Sequence, residues 1–509
     1  MPALLPSVIH SAAASHNRTL VGWVSSSIDR GTIDILWSCS ITILLCCWVA
    51  THPNAAAPTD KWYHRFIDKF NLAMIGLLGP DFLFGIALGQ FSSARRCVRL
   101  FKRDAHLLNG NQLTYRYAFF LNMGGLHLTS PDFPSGFPIT GHQLHYLVKH
   151  DHVDFPNLKA MAIDERNTTD TLSRLVTVWQ VLWFSVAEIQ RVRDGLPTTT
   201  LELTALSFVV VMIATSVCWF RKPSITIPQT IPTKGGKLVY NIRANAKEQT
   251  HPDLKLEIWY RTPLDFIRDD RWGIDTHWSY YTRISHIIHV RMVSRPVKTR
   301  PWNRLPSDQW LPPDQVLIPF GSLILLLFSS SFLIAWNFYF PTKTEQWLWR
   351  GFAIYHSVFV VYGGVYYLIE AIRWNKRKPK DSAEGTSGVS TIPHGDTAQD
   401  LIRPSTSERN VSPAQQQPTC NQTNPIAGSH WQRWYWITQQ RIVSLRNISA
   451  DKDPDMVMPL RVIVPVTVTC VLYIIARGFL YIEDFISLRL QPANTYESVN
   501  KFLPFIGDG

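Results

Sequence analysis

The chain has 509 residues and a formal net charge of +12, with nineteen Trp, seventeen Tyr and twenty-six Phe. Its apolar residues are gathered into long runs, which excludes an ordinary soluble domain and predicts an all-α membrane protein of about seven transmembrane helices with large polar loops. The basic excess lies beside those runs, where it sets orientation and meets anionic lipid, so nucleic acid is excluded as a partner. The seven cysteines show no CxxC, zinc spacing or disulfide framework.

Residues 1–32 form a polar N-terminus without the charged start and solid apolar core of a cleaved signal peptide. Residues 33–92 hold helices 1 and 2. The first runs from Ile33 to Val49 and stops at Thr51-His52-Pro53, because proline disfavours helix in the residue before it. The second, Asn71 to Phe91, contains Gly79-Pro80-Asp81 near its middle, which predicts a kink and obliges the Asp81 carboxylate to face protein or water. Arg95, Arg96, Arg99, Lys102 and Arg103 open a cytosolic loop, 93–170, in which YAFFLNMGGLHL reads as a half-buried element.

Residues 171–223 read as a transmembrane hairpin, helices 3 and 4, folded about Gly195-Leu196-Pro197. Its antiparallel arms hold Glu188 and Glu202 at about one depth. Ionisable groups inside membrane segments are costly and therefore mark candidate sites; the plainer alternative puts the pair at headgroup level beside Arg191 and Arg193. A second cytosolic loop, 224–312, has no run long enough to span. Residues 313–374 carry helices 5 and 6, and 375–457 are a disordered linker and surface segment rich in Ser, Thr, Pro and Gln. Helix 7 occupies 458–485, with Arg477 well inside, and 486–509 are a C-terminal tail.

Seven spans place the N-terminus with the three long loops. The basic clusters on that side predict that it is cytosolic. Sequons at Asn17, Asn167, Asn410, Asn421 and Asn447 lie on the same side and argue for the opposite orientation.

Four stretches, RGTIDILWSCSITILLCCWVATHPN (30–54), YAFFLNMGG (117–125), DGLPTTTLELTALSF through WFRKP (194–223) and ARGFLYIEDFISLRLQP (476–492), resemble a large family of uncharacterised multi-pass membrane proteins of filamentous fungi. The resemblance implies a shared helical fold in the endoplasmic reticulum or another endomembrane. It brings no assigned catalytic motif.

Counting about 1.5 Å of rise per residue puts Asp81 and His356 near the bilayer midplane. A buried acid beside an imidazole can form a proton donor pair; alternatively Asp81 caps the kink and His356 bonds a neighbouring helix. Arg477 falls at a depth where it would pair with Glu188 or Glu202. The catalytic candidates are therefore Asp81, His356, Glu188 and Glu202. Metal chemistry is not expected, since His142, His145, His150 and His152 match no metalloenzyme spacing and Asp265, Asp269 and Asp270 lack the DDxxD order. No cofactor is implied.

By likeness of type to motif-poor helical membrane cyclases, the expected activity is a terpene-cyclase-like protonation of a prenyl chain or its epoxide in fungal terpenoid or meroterpenoid biosynthesis. Trp183, Tyr355, Tyr362 and Tyr366 would line the cation. The partners are then the lipid bilayer and a hydrophobic prenylated substrate. The alternative is a non-catalytic endomembrane scaffold or transport-related protein.

Overall fold

The computed structural model describes residues 19–25, 30–108, 110, 112–156, 168–224, 228–267, 272–377, 446–447 and 457–497. Most of the expected linker 375–457, the sequons at Asn17, Asn167, Asn410 and Asn421, and Asp269 and Asp270 lie outside these residues. Packing divides the chain into two units, 1–375 with 447–509 and 376–446. The apolar helices and the folded loops between them make up the first.

Among the described residues, five helices are long and apolar enough to cross a membrane. They are α1 (Thr32–Ala50), α7 (Thr200–Cys218), α10 (Ile318–Ile334, extended at both ends by 3-10 turns), α11 (Lys343–Arg377) and α12 (Leu460–Ile486). Each begins and ends within a few residues of an expected run. Helix α6 (Thr168–Arg193) is the first arm of the hairpin expected before α7. Among the spanning candidates α7 is the most enclosed, with 72% of its apolar window buried, and it packs on α1, α10 and α3 (Pro80–Arg103).

The expected second span is corrected. Instead of one kinked helix there are two, α2 (Trp62–Leu78) and α3, separated at Gly79, whose φ of −153° and ψ of 83° lie outside the helical region. Proline supplies a preset φ but no N–H, so Pro80 starts a fresh helix rather than bending an old one. Helices α2 and α3 pack on each other. They therefore enter and leave on one face as a helical hairpin.

Contacts at the helix ends also correct the expected sidedness of the N-terminus. Strand β1 (Leu20–Val21) pairs antiparallel with β5 (Gln491–Pro492) beyond α12, and the Thr32 hydroxyl donates to Tyr496 Oη at 3.2 Å. Arg489 meets Glu345, at the start of α11, at 2.5 Å. The N-terminal segment thus shares a face with the short turns and the C-terminal segment. At the opposite face the 51–70 link joins the long loops: Asn54 N donates to Ser307 Oγ at 2.9 Å, and Arg295 forks onto Asp60 and Asp68 with four hydrogen bonds of 2.6–2.9 Å. The odd number of crossings expected from the sequence would separate the two termini, and the observed pairing opposes that.

The long loops fold into a polar domain against the C-terminal half of α3. It contains α4 (Tyr115–Asn122), a three-stranded sheet with order β3 (Phe133–Pro138), β2 (Leu126–Ser130), β4 (Gln229–Pro232), then α5 (Gly141–Lys149), α8 (Val239–Gln249) and α9 (Gly273–Ile287). The YAFFLNMGGLHL element resolves into helix and strand because Gly124, at a φ of +79°, ends α4 in the left-handed conformation open to glycine. Strands β2 and β3 form an antiparallel hairpin, and β4 returns parallel to β2.

Candidate functional site

The expected site residues separate into two clusters. Asp81, in the first turn of α3, accepts a hydrogen bond from Tyr473 Oη of α12 at 2.9 Å. His356 of α11 lies on the other side of that phenol ring, with centroids 5.8 Å apart and planes within 29° of each other. The acid and the imidazole are thus brought together through Tyr473 and do not touch directly. His356 is fully buried among Phe328, Phe332 and Tyr473, and neither of its ring nitrogens has a hydrogen-bond partner among the described residues.

Glu188 and Glu202 lie side by side as the hairpin predicts, but Arg477 does not pair with them. Arg30, from the segment before α1, bridges both, contacting Glu202 and standing 3.7 Å from Glu188. Glu202 also takes the Thr199 backbone N–H at 2.7 Å, closing a capping box at the start of α7. Arg191 donates to the carbonyls of Pro197, Thr495 and Glu497. Arg477 donates to Tyr481 Oη at 2.5 Å and sits 4.6–5.8 Å from the centroids of Phe208, Phe328, Phe332 and Tyr481. The depth count set it level with Glu188 and Glu202, but the ring faces of α7 and α10, invisible to such a count, enclose it.

Of the expected lining rings, Trp183 and Tyr362 are exposed on the apolar surface. Tyr355 donates to the Thr469 carbonyl at 2.7 Å, and Tyr366 shares a hydrogen bond with His277 at 3.1 Å. In the histidine run, His145 meets Asp104 at 2.7 Å and His150 uses Nδ1 on its own helix carbonyl. Burial alone would raise the Asp104 carboxyl, but the bond from His145 and the charge of Arg103 hold it below its ordinary value.

A third cluster lies where α3 and α7 meet the polar domain, and its centre is Gln90. This glutamine interrupts the apolar ALGQF segment of α3, and its amide is 6% exposed. Its Oε1 accepts from Lys222 Nζ at 2.9 Å and from Trp219 Nε1 at 3.1 Å, while its Nε2 donates to the Ser307 carbonyl at 3.0 Å. Lys222, just past the end of α7, is 2% exposed, and its ammonium lies 4.7 Å from the Trp219 ring centroid. Among the described residues no carboxylate pairs with it. Burial pushes the Lys222 amine down to about 7, because desolvation disfavours the charged form when no opposite charge offsets it.

The roof of the cluster is the segment 302–311. It lies close on α3 because Gly85 and Gly89 have no side chain there: a Cβ on Gly85 would stand 2.5 Å from the Trp310 ring, and one on Gly89 2.2 Å from the Leu311 carbonyl oxygen. Helix α9 fixes the same segment, with Trp272 Nε1 donating to the Trp310 carbonyl at 2.9 Å and Asp275 accepting from Trp310 N at 3.1 Å. A small pocket remains between roof and floor, lined by Asn54, Gln90, Phe119, Asn122, Met123, Lys222, Gln309 and Leu311. Asn122, Gln309 and Leu311 also line a second, larger cleft that opens to solvent. Its walls include Arg96, Arg261, Gln143 and Thr262, and the N-terminus of α5 at Thr140 opens onto it.

A family of unknown function (DUF8562) matches residues 4–239. The match covers a little under half of the 509 residues. It contains Asn54, Asp81, Gln90, Glu188, Glu202 and Lys222, and stops before the roof segment and before His356 and Tyr473. No curated protein and no solved structure matches the chain.

Sequence reasoning passed over the Lys222 cluster. Lys222 counts there as one of the basic residues flanking a span, which is the ordinary meaning of a lysine after an apolar run. The available signal was Gln90, an amide inside an apolar segment that requires a polar partner. The identity of that partner depends on how α7 packs on α3.

Proposed function

We propose that this is a multi-pass membrane protein that binds a small anionic molecule in the cleft between its apolar helices and its polar domain. One observation carries this reading: Lys222 is buried beneath the cleft with amide groups and an aromatic ring for company, and no carboxylate among the described residues. A buried cation without an opposite charge is costly, and an incoming anion supplies the missing charge. The outer walls carry Arg96 and Arg261, and also Asp265, whose carboxylate accepts the backbone N–H groups of Tyr260, Arg261 and Thr262.

The test is thermal unfolding of the purified full-length protein in detergent, with and without inorganic phosphate, sulfate or acetate. The reading expects saturable stabilisation of the wild type and little of Lys222→Gln. An equal response of the two proteins, or none in either, would remove it.

A second reading keeps the acid-started cyclisation of a prenyl chain. The Asp81 carboxyl, held by Tyr473 beside the rings of Phe82 and Phe359, favours it. Against it, the ring faces of Phe208, Phe328 and Phe332 already enclose the protein's own Arg477. Expression beside linear farnesylated phenols and their epoxides would yield cyclised isomers of unchanged mass, abolished in Asp81→Asn. Full activity in that variant, or no product, leaves the binding reading alone. The fungal endomembrane setting implied by the resemblance belongs to both readings.

A further inference from the structure

The anion-binding reading treats Lys222 as a charge, but its surroundings suit it better to act as a nucleophile. An ammonium is held as such by a carboxylate partner. Here the partner is a neutral amide oxygen, Gln90 Oε1, which the lysine shares with Trp219 Nε1. An amine that donates one hydrogen to that oxygen keeps its lone pair. Lysines used for covalent chemistry with carbonyl compounds are those desolvated in this way. The amine sits in the wall of the inner pocket, which adjoins the larger cleft through Asn122, Gln309 and Leu311.

We infer that Lys222 condenses reversibly with the carbonyl group of an aldehyde or ketone that also carries a carboxylate or phosphate. This rests on the anion-binding reading, and it assigns the two halves of the ligand to the two parts of the cleft. The anionic group lies toward Arg96 and Arg261, and the carbonyl enters the inner pocket. Nζ adds to the carbonyl carbon, the C=O π pair moves to oxygen, and a proton passes from nitrogen to that oxygen through water, giving a carbinolamine. The nitrogen lone pair then forms the C=N bond as the hydroxyl, taking up a proton, leaves as water. One carbonyl and one amine become one imine and one water, and nothing is oxidised or reduced.

The side chains around the pocket fit this step. The pocket wall is polar without being acidic: it carries the amides of Asn54, Gln90, Asn122 and Gln309 and no carboxylate among its lining residues. The roof segment, pinned by Asn54 Nδ2 on the Pro306 carbonyl at 2.8 Å, limits bulk water at the amine. The free-base fraction supports the same assignment: burial pushes Lys222 down to about 7, whereas an ordinary lysine titrates near about 10.4.

The experiment uses the full-length protein in detergent micelles with glyoxylate as the probe and cyanoborohydride to trap the imine. Sites of carboxymethylation are mapped by peptide mass spectrometry. Lys222 is expected to label at least about tenfold faster at neutral pH than the exposed Lys237 and Lys247, with a rate that rises through about pH 7 rather than about pH 10. Excess phosphate should slow labelling at Lys222 and leave Lys237 unaffected. Lys222→Arg should lose the label, with an unchanged circular-dichroism spectrum and gel-filtration profile in detergent showing that the variant is folded. Glycolate, which has the carboxylate but no carbonyl, gives the separating arm. If glycolate or phosphate stabilises the wild type but Lys222 labels no faster than the surface lysines, the imine is overturned and the anion site stands. If neither anion stabilises the protein and Lys222 is not selectively labelled, both are overturned.

Discussion

Lys222 and Arg295 show at the residue scale how differently a buried and a half-buried cation can be accommodated. Arg295 has two carboxylates, Asp60 and Asp68, each within 2.9 Å. Burial would raise Asp60, but the hydrogen bonds and charge of Arg295 bring it below its ordinary value. Arg295→Ala leaves Asp60 and Asp68 with Arg304 and His64 nearby and should destabilise the protein by about 1–2 kcal/mol, since the arginine is half-buried. Chemical denaturation would measure this, and Asp60→Asn added to Arg295→Ala should recover part of the loss. No recovery would contradict the ion-pair account. Lys222, with an amide for a partner, is predicted to make stability depend on pH. Its folded-state value of about 7 lies below the unfolded value of about 10.4. Between those values only the unfolded chain holds the proton, so stability rises with pH across the window and the penalty is complete below it. Lys222→Met should flatten the rise in melting temperature between about pH 7 and 10; an unchanged slope would refute the assignment. Little of this was legible in the sequence, because pairing is a property of packing. The depth count placed Asp81, His356, Glu188 and Glu202 in sensible relation to one another, but it could not show that Tyr473 stands between the first two. Nor could it show that Arg30, outside every apolar run, is the cation that joins the last two.

At the scale of elements, hydropathy was informative wherever the apolar run is long enough to fill a whole helix. The runs around α1, α7, α10, α11 and α12 are apolar all round, and the helices begin and end close to where the runs do. It misled at α2 and α3, where composition is continuous across Gly79 but the backbone is not. A Gly-Pro pair inside an apolar run permits a kink or a restart, and only tertiary packing decides which. Helix α3 is also where the roof of the cleft is seated. Gly89→Ala would set a Cβ 2.2 Å from the Leu311 carbonyl oxygen, and backbone cannot give way as a flexible side chain can. The variant should lose about 1–3 kcal/mol of stability, as overpacked sites do, and should label Lys222 faster as the roof lifts. Stability equal to wild type would show that the segment 302–311 does not rest on α3.

For the whole molecule, the pairing of β1 with β5 puts the segment before α1 beside the segment after α12, and the 51–70 link joins the long loops at the other ends of those helices. The positive-inside rule predicts that this long-loop face is cytosolic, since Arg95, Arg96, Arg99, Lys102 and Arg103 follow α3 within it and Lys61, Arg65 and Lys69 now join them. The prediction is that a reporter fused to either terminus is equally protected from protease in sealed membranes; protection of only one would restore an odd number of crossings. The cleft lies between α3 and the polar domain. The measurement that bears most directly on its role is the ionisation of Lys222 itself, read from the pH dependence of its acylation in the intact protein. The account predicts a midpoint near about 7 that moves upward when phosphate is added, as an anion in the cleft favours the ammonium form. A midpoint near the ordinary lysine value of about 10.4, or one indifferent to phosphate, would contradict it.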